Sequence, residues 1–477
     1  MYVRKYKYWK RISFVFFSKD NKKGVKIVTQ LPIITYRESI MTSIESLLDI
    51  AKGLYNDCFG KATNESIIAT AAPGRVNIIG EHVDYTGGYV FPMALNGYYT
   101  ICYGTGSLIG SEYGTCRIIS HTLNKDDIVT LSTPSYPKVN EMKAFPHSHK
   151  HSWTNYIMGV IQQYMKDDFQ NNPNLSLNLN IVIVGNVPLG SGLSSSASLE
   201  ICVARFIESI MKDYAFMNFP NITEKIKKME RAKRCQKADN EFCSIPCGIM
   251  DQYVCSAAET NCALLIDCTS YDYTPVSMGK KVLITDDHDI DHAPPVFVIC
   301  NSNVQHENAT GEYPKRVQQC QQALKEIQNK YPTISSLRYA TMDHISHMDT
   351  DTIVYKRVKH VITENDRTLK AKTAFENGNF ELLGQLMNDS HTSMKDDYET
   401  SCHEIDILVH LAQTFSNAVY GSRLTGGGFG GCTVTLVSND KVNDLILHLQ
   451  QKYKEQTGLN CKCFITTPGN GVQLLSY

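Results

Sequence analysis

Arg75, Asn77, Glu81, His82, Asp84 and Tyr85 crowd into residues 74–85, between apolar β-formers such as Val76, Ile78, Ile79 and Val83. Burying Arg75, Glu81, His82 and Asp84 together costs several kcal/mol per unpaired group, so the cluster must be paired, solvated or turned toward a ligand. Ionised carboxylates accept charge-assisted hydrogen bonds from hydroxyls, so this rim suits a polyhydroxy ligand. A surface hairpin with scattered charges is the alternative.

A second chemical signal lies at residues 187–197, VPLGSGLSSSA, between an apolar strand and an apolar-periodic helix. Backbone N–H groups and the helix dipole converge there on one point, the ordinary arrangement for holding phosphate. Glycines admit close backbone approach, and the serines add hydroxyl donors and a candidate Mg²⁺ ligand. The pattern is neither a P-loop nor a dinucleotide fingerprint. A further loop at 426–431 holds five glycines in six residues. Ordering it is costly, which predicts close approach to a ligand or to another chain segment, tight packing of two elements being the alternative.

Asp251, in the apolar stretch PCGIMDQ (246–252), needs a partner if buried, and Arg75 is the available cation if the two motifs meet. An Asp beside a guanidinium stays oriented, as a base accepting a hydroxyl proton should be. Glu241 could hold Mg²⁺ with a loop serine; helix-surface positions are the alternative for both acids.

The elements positioning these groups are readable in outline. A helix is predicted over 43–58 after a Thr42-x-x-Glu45 capping box, and strands over 66–71 and 75–79, broken by Pro73-Gly74. A buried strand over 181–184 leads through the serine loop into a helix over 195–213. Further helices are predicted over 224–239, 247–257, 313–331, 352–377 and 379–387, and further strands over 263–267, 296–300, 432–437 and 463–467. This alternation predicts an α+β architecture.

The 477 residues are enough for two or three domains. Net charge is −1, against a generic nucleic-acid or membrane-surface binder. The balance is uneven: residues 1–38 carry ten Lys or Arg against Asp20 and Glu38, leaving the remainder at −9. Residues 1–40 are therefore expected to be a basic, disordered tail or sequence upstream of a start at Met41, a weak targeting segment being the alternative. The acidic stretch 286–292 is expected to be a solvated loop, its His and Asp residues notwithstanding. Domain boundaries are expected at 41–295 and 296–477. Sixteen cysteines without a C-x-x-C pair suggest buried apolar thiols in a reducing, cytoplasmic compartment.

Together these segments resemble the GHMP small-molecule kinases and, within them, the galactokinase family. Residues 74–85 match its sugar signature and 188–198 its ATP loop. The stretches 247–252, 301–304 with Glu312-Tyr313-Pro314, 396–399, and 421–425 with the glycine loop follow in the family's order. The resemblance implies two α+β domains with the active site in the cleft between them, and phosphorylation of galactose at its anomeric hydroxyl by ATP and Mg²⁺. Asp251 would be the base and Arg75 would stabilise it and the developing phosphate charge. Arg75, Glu81, His82, Asp84, Gly248, Asp251 and Tyr313 would hold galactose, Gly190, Gly192, Ser194 and Ser195 the ATP phosphates, and Ser196 and Glu241 the Mg²⁺. A monomer is implied, with no nucleic-acid or membrane partner. Within the family an N-acetylgalactosamine kinase is the nearest rival. A sugar sensor that contacts a transcriptional partner is another, but such relatives lack a Ser-Ala pair in the ATP loop, which Ser196-Ala197 supply here.

Overall fold

The computed structural model describes residues 43–61, 67–110, 113–121, 129–134, 143–168, 175–216, 218–219, 221–279, 294–305 and 309–476. The basic head and the acidic stretch 286–292 lie outside them. Met41–Tyr477 forms one unit by its own contacts.

From its N-terminal end that unit runs α1 (Ile44–Phe59), β1 (Ile67–Ile79), β2 (Tyr89–Ile109), β3 (Tyr113–Ser120), β4 (Val129–Pro134), α2 (Thr154–Asp168), β5 (Ser176–Gly185) and α3 (Ser195–Met211). There follow α4 (Glu224–Lys237), a π-turn (Ala238–Phe242), α5 (Met250–Ala257), β6 (Cys262–Asp267) and β7 (Tyr273–Ser277). The remainder comprises β8 (Val296–Gln305), α6 (Ala309–Lys330), α7 (Met342–Ile345), α8 (Ile353–Asn377), α9 (Phe380–Asp396), α10 (His403–Gln413), β9 (Val419–Thr425), β10 (Gly430–Val437), α11 (Val442–Thr457), β11 (Lys462–Thr466) and β12 (Gln473–Leu474). Among the described residues no helix is long and apolar enough to cross a membrane.

The chain is α+β, as expected, and built on two sheets. The larger has eight strands along the path β12-β1-β2-β5-β3-β4, with β6 joined to β2 and to β7. The smaller follows β11-β8-β10-β9 and draws all its strands from beyond residue 295. The last strand returns to the first sheet, where Thr70 faces Leu474. One apolar cluster joins the two sheets: Val76, Ile78, Phe91 and Met93 pack with Phe297, Ile299, Val434 and Leu436, and with Phe375 and Met387 from α8 and α9. Phe91 and Phe375 are fully buried and meet edge to face at 5.3 Å; each contributes roughly 1.5–3 kcal/mol by burial. This shared core fixes the glycine loop of the smaller sheet against the polar segment of the larger.

Two local expectations are corrected. The cap of α1 is Ser43, whose side chain accepts from the Ser46 N–H at 3.3 Å; Thr42 lies outside the described residues. The two predicted strands at 66–71 and 75–79 are one strand, β1, because Pro73-Gly74 makes a bulge in its pairing with β2 instead of a break. Gly74 is required there: a Cβ would lie 2.8 Å from the Leu193 carbonyl oxygen of the serine loop. Long β2 was not among the predicted strands, and its Pro92, Gly97, Gly104 and Gly106 are residue types that ordinarily interrupt one. Gly104 instead lets the backbone press against Asn180 of β5, where a Cβ would meet its carbonyl oxygen at 2.0 Å.

Candidate active site

Arg75, just past the bulge of β1, and Asp251, in the first turn of α5, meet as a two-pronged ion pair. Arg75 Nε donates to Asp251 Oδ1 and Nη2 to Oδ2, both at 2.6 Å. The guanidinium side chain is 6% exposed and the carboxylate 31%, so the acid faces outward while its cation is sealed behind it. Burial works against the Arg75 charge, but Asp251 outweighs it and raises the pKa above the ordinary arginine value. Two further contacts tie the pair to the serine loop: Arg75 Nη1 donates to the Gly192 carbonyl at 2.5 Å and Ser194 Oγ to Asp251 Oδ2 at 2.5 Å. The expectation that the two motifs meet is thus realised in the geometry.

Asp251 and Arg75 line a cleft of about 370 Å³ together with Gly190, Gly192, Ser194, Ser195 and Ser196. Ser195 opens α3, whose first-turn amides face outward. Gly190 and Gly192 have φ of +63° and +77°, and Ser194 holds +58°, a conformation costing a non-glycine residue about 1 kcal/mol or more. Trp153, Tyr156, Leu189 and Leu199 complete the cleft with apolar surface. Sequence reasoning missed Trp153 and Tyr156. The one available signal was that Trp153 is one of two tryptophans in the chain.

Residues 80–86 form a tight turn followed by one 3₁₀ turn, Asp84–Thr86. Its amides are pinned from α8, where Glu364 Oε1 accepts from the N–H of Gly80 at 2.9 Å and of Glu81 at 3.2 Å. Burial opposes ionisation of Glu364, yet the adjacent Arg367 cation prevails and brings its pKa down to about 2. Asp84 lies directly against Gly248: a Cβ on that glycine would sit 1.7 Å from Asp84 Oδ2. Burial, and next the neighbouring Asp251 charge, push the Asp84 pKa up to about 7. Tyr313, from α6, closes over the turn, its ring 5.3 Å from Tyr85 and 5.5 Å from His82.

Two members of the expected sugar set are already engaged. The His82 ring, at φ +57°, has Nε2 3.2 Å from the Gly427 carbonyl and Nδ1 3.0 Å from the Tyr85 hydroxyl. Since a carbonyl only accepts, Nε2 carries the proton and Nδ1 accepts from Tyr85. Burial lowers the His82 pKa to about 3, so the ring is neutral. Both His82 nitrogens thus join the turn to its surroundings, one to Tyr85 and the other to the glycine loop. Glu81, 2% exposed, likewise accepts from Asn77 Nδ2 and the Gly426 N–H and stands 3.6 Å from Arg423 Nη2. What remains for a ligand is the second lone pair of each Glu81 oxygen.

The second glycine loop packs on protein. The Gly426 Cα and the Gly192 carbonyl approach so closely that a Cβ on Gly426 would lie 3.3 Å from that oxygen, and one on Gly428 would lie 2.3 Å from the Thr400 carbonyl. Element-to-element packing thus accounts for Gly426 and Gly428, whereas a Cβ on Gly427 would meet nothing within 4 Å.

Glu241 stands apart from the serine loop. It is exposed, accepts from Gln163 Nε2 at 3.1 Å and does not line the cleft. The acids that gather beside the cleft are Asp239, two residues earlier in the π-turn, and Glu200, one helical turn beyond Ser196 on α3. Both are buried, at 4% and 0% exposed, and Gln252 Nε2 donates to both. Asp239 Oδ1, Glu200 Oε1 and Gln252 Oε1 are buried without a hydrogen-bond partner. Burial, and next the facing Asp239 charge, raise the Glu200 pKa; burial raises Asp239 to about 6. Glu200 and Asp239 face each other closely enough to share a proton in a side-chain hydrogen bond, and a pair of buried carboxylates of this kind fits a hard divalent cation, which takes oxygen ligands. The π-turn, which shifts the inward face of the chain after α4, buries Asp239 and leaves Glu241 exposed.

Residues 54–105 match the galactokinase galactose-binding signature, 155–259 the GHMP kinases N-terminal domain and 371–455 the GHMP kinases C-terminal domain. A galactokinase of Clostridium acetobutylicum is 35% identical over 85% of this chain and 94% of its own length. The chain belongs to the galactokinase family. Another galactokinase-family relative, from Bos taurus, is 35% identical over 85% of this chain and 92% of its own length. The crystal structure of Lactococcus lactis galactokinase complexed with galactose superposes with a TM-score of 0.75 at 29% identity, covering 90% of this chain and all of that one. A mevalonate kinase at 16% identity and TM-score 0.51 shares the GHMP fold.

Proposed function

We propose that this chain transfers the γ-phosphoryl group of ATP to the anomeric oxygen of galactose. The observation that carries the reading is the Arg75–Asp251 pair, standing between a phosphate-type glycine-serine loop and the Asp84–Gly248 contact. The galactose-bound relative from Lactococcus lactis supports the choice of sugar.

Phosphoryl transfer depends on positioning and charge neutralisation more than on covalent chemistry. ATP lies in the cleft with its base toward Trp153, Tyr156, Leu189 and Leu199 and its phosphates toward Gly190, Gly192, Ser195 and the first turn of α3. Galactose is held by Asp84, the backbone at Gly248, Tyr313 and the remaining lone pairs of Glu81, while His82 supports the turn. Asp251 orients the anomeric hydroxyl and accepts its proton. Arg75 fixes that carboxylate through two hydrogen bonds and offsets the charge that develops on the transferred group. Ser194, now bonded to Asp251, exchanges this bond for the substrates.

Mg²⁺ would be held by Ser196, Asp239 and Glu200, where it would neutralise phosphate charge. Residues 41–295 and 296–477 act as the two domains, corresponding to the two sheets apart from the returning β12. Sixteen free, mostly buried thiols suit a cytoplasmic protein, and we take it to act as a monomer on small molecules alone.

Purified protein offered galactose, N-acetylgalactosamine, glucose or mevalonate with ATP and Mg²⁺ tests this directly. ADP release is expected with galactose above all; release with N-acetylgalactosamine at equal or higher kcat/KM, or none with galactose, overturns the reading.

A further inference from the structure

Cys300 in β8, Cys463 in β11 and Cys461 just before β11 bring their three sulfurs within 4.8 Å of one another. Cys300 and Cys463 are directly opposed across antiparallel strands, and their sulfurs are 3.2 Å apart. Cys300 is fully buried and Cys461 5% exposed, while Cys463 is half-buried on β11, the edge strand of its sheet. Among the described residues no other three such side chains converge this closely.

A thiol is a weak hydrogen-bond donor, so three of them turned toward one point gain little from one another. Thiolates bound to a single ion at about 2.3 Å stand about 4 Å apart, so the Cys300–Cys463 pair, now at 3.2 Å, would open slightly around an ion. Soft sulfur ligands select zinc and copper(I) over magnesium or calcium.

We propose that Cys300, Cys461 and Cys463 form a three-thiolate site for a thiophilic metal cation of zinc's class, separate from the phosphoryl-transfer cleft. Three S–H bonds break and three metal–sulfur bonds form; the protons pass to solvent, and water takes the fourth position of a tetrahedral ion. The ion would tie the start of β11 to the middle of β8. Two residues further along β8, Ser302 Oγ donates to the Gly431 carbonyl at 2.9 Å, so the clamped strand also holds the second glycine loop.

The test uses the full chain, reduced and stripped of metal, titrated with Cd²⁺ as a spectroscopic stand-in for zinc. One ion per chain is expected, with the ultraviolet thiolate-to-metal absorption of three sulfurs, displaced by excess Zn²⁺. Cys461→Ser should leave two-thiolate absorption and weaken binding by roughly tenfold or more, a loss already typical of groups one shell further from an ion. Because substitution of a buried cysteine can impair folding, alkylation of the unaltered chain provides an independent readout. Bound Cd²⁺ should protect Cys461 and Cys463 while the half-buried Cys58 and Cys402 still react. The proposal is overturned by absence of saturable binding to the reduced chain, by full-strength binding in Cys461→Ser, or by protection that does not map to these residues. It is equally overturned if air yields a Cys300–Cys463 disulfide and the re-reduced protein takes up no metal.

Discussion

The carboxylate of Asp84 fills the space that a side chain on Gly248 would need, with Oδ2 1.7 Å from the position of a Cβ. Gly248 is thus the floor against which Asp84 is set, and any larger residue must push that carboxylate aside. Gly248→Ala should raise the KM for galactose by about 5- to 150-fold, the equivalent of 1–3 kcal/mol of overpacking, while leaving the KM for ATP nearly unchanged. Steady-state kinetics with each substrate varied in turn reads both; an unchanged galactose KM would separate Asp84 from sugar binding.

Asp251→Asn keeps the shape of the carboxylate but removes its charge and its ability to accept a proton. Turnover should fall by roughly 10²- to 10⁴-fold. Stability should also drop, since the buried Arg75 loses its counter-charge, although the partial exposure of Asp251 moderates that loss. Single-turnover rates and thermal midpoints check both; turnover near that of the unaltered chain would remove Asp251 from the chemistry.

Asp84 has a pKa raised from 3.8 to about 7 in the folded chain. Between those values the folded state keeps a proton that the unfolded state has released, so this group's contribution to stability is full below about 4 and falls as pH rises to about 7. Galactose binding follows the opposite course, because the ionised carboxylate is the stronger acceptor for a sugar hydroxyl. Calorimetric affinity for galactose should therefore improve as pH rises through about 7, and Asp84→Asn should flatten that slope. The same slope in both proteins would contradict the assignment.

If the cation site is built from Ser196, Asp239 and Glu200, Asp239→Asn should raise the Mg²⁺ concentration needed for half-maximal rate by roughly tenfold or more. Glu241→Gln, a change at an exposed residue bonded to Gln163, should leave that requirement where it was. A Mg²⁺ titration of the two variants decides between them, and the reverse ordering would restore Glu241.

Much of the site was legible because phosphate loops, paired charges and helix starts follow local rules. The Arg75–Asp251 pair was readable as the pairing available if the two motifs met, although 176 residues separate the partners. The functions of Glu81 and His82 were less so, since each joins a local partner, Asn77 or Tyr85, to the distant loop 426–427, and the sequence does not reveal that second contact. Asp239 was hidden by the π-turn, whose extra residue defeats helical periodicity. β2 carries glycines that serve close strand packing, although the residue type ordinarily interrupts a strand. Glu364 pins the turn at Gly80 from a helix that the sequence located without disclosing its partner.

The central claim is transfer to one atom, the anomeric oxygen of galactose, and phosphorus NMR of the product tests it most directly. The reaction of galactose with ATP and Mg²⁺ should give a phosphomonoester resonance coupled to the anomeric proton, absent when Asp251→Asn replaces the unaltered chain for the same interval. A phosphate coupled instead to the protons of C6, or no phosphorylated sugar at all, would contradict the account.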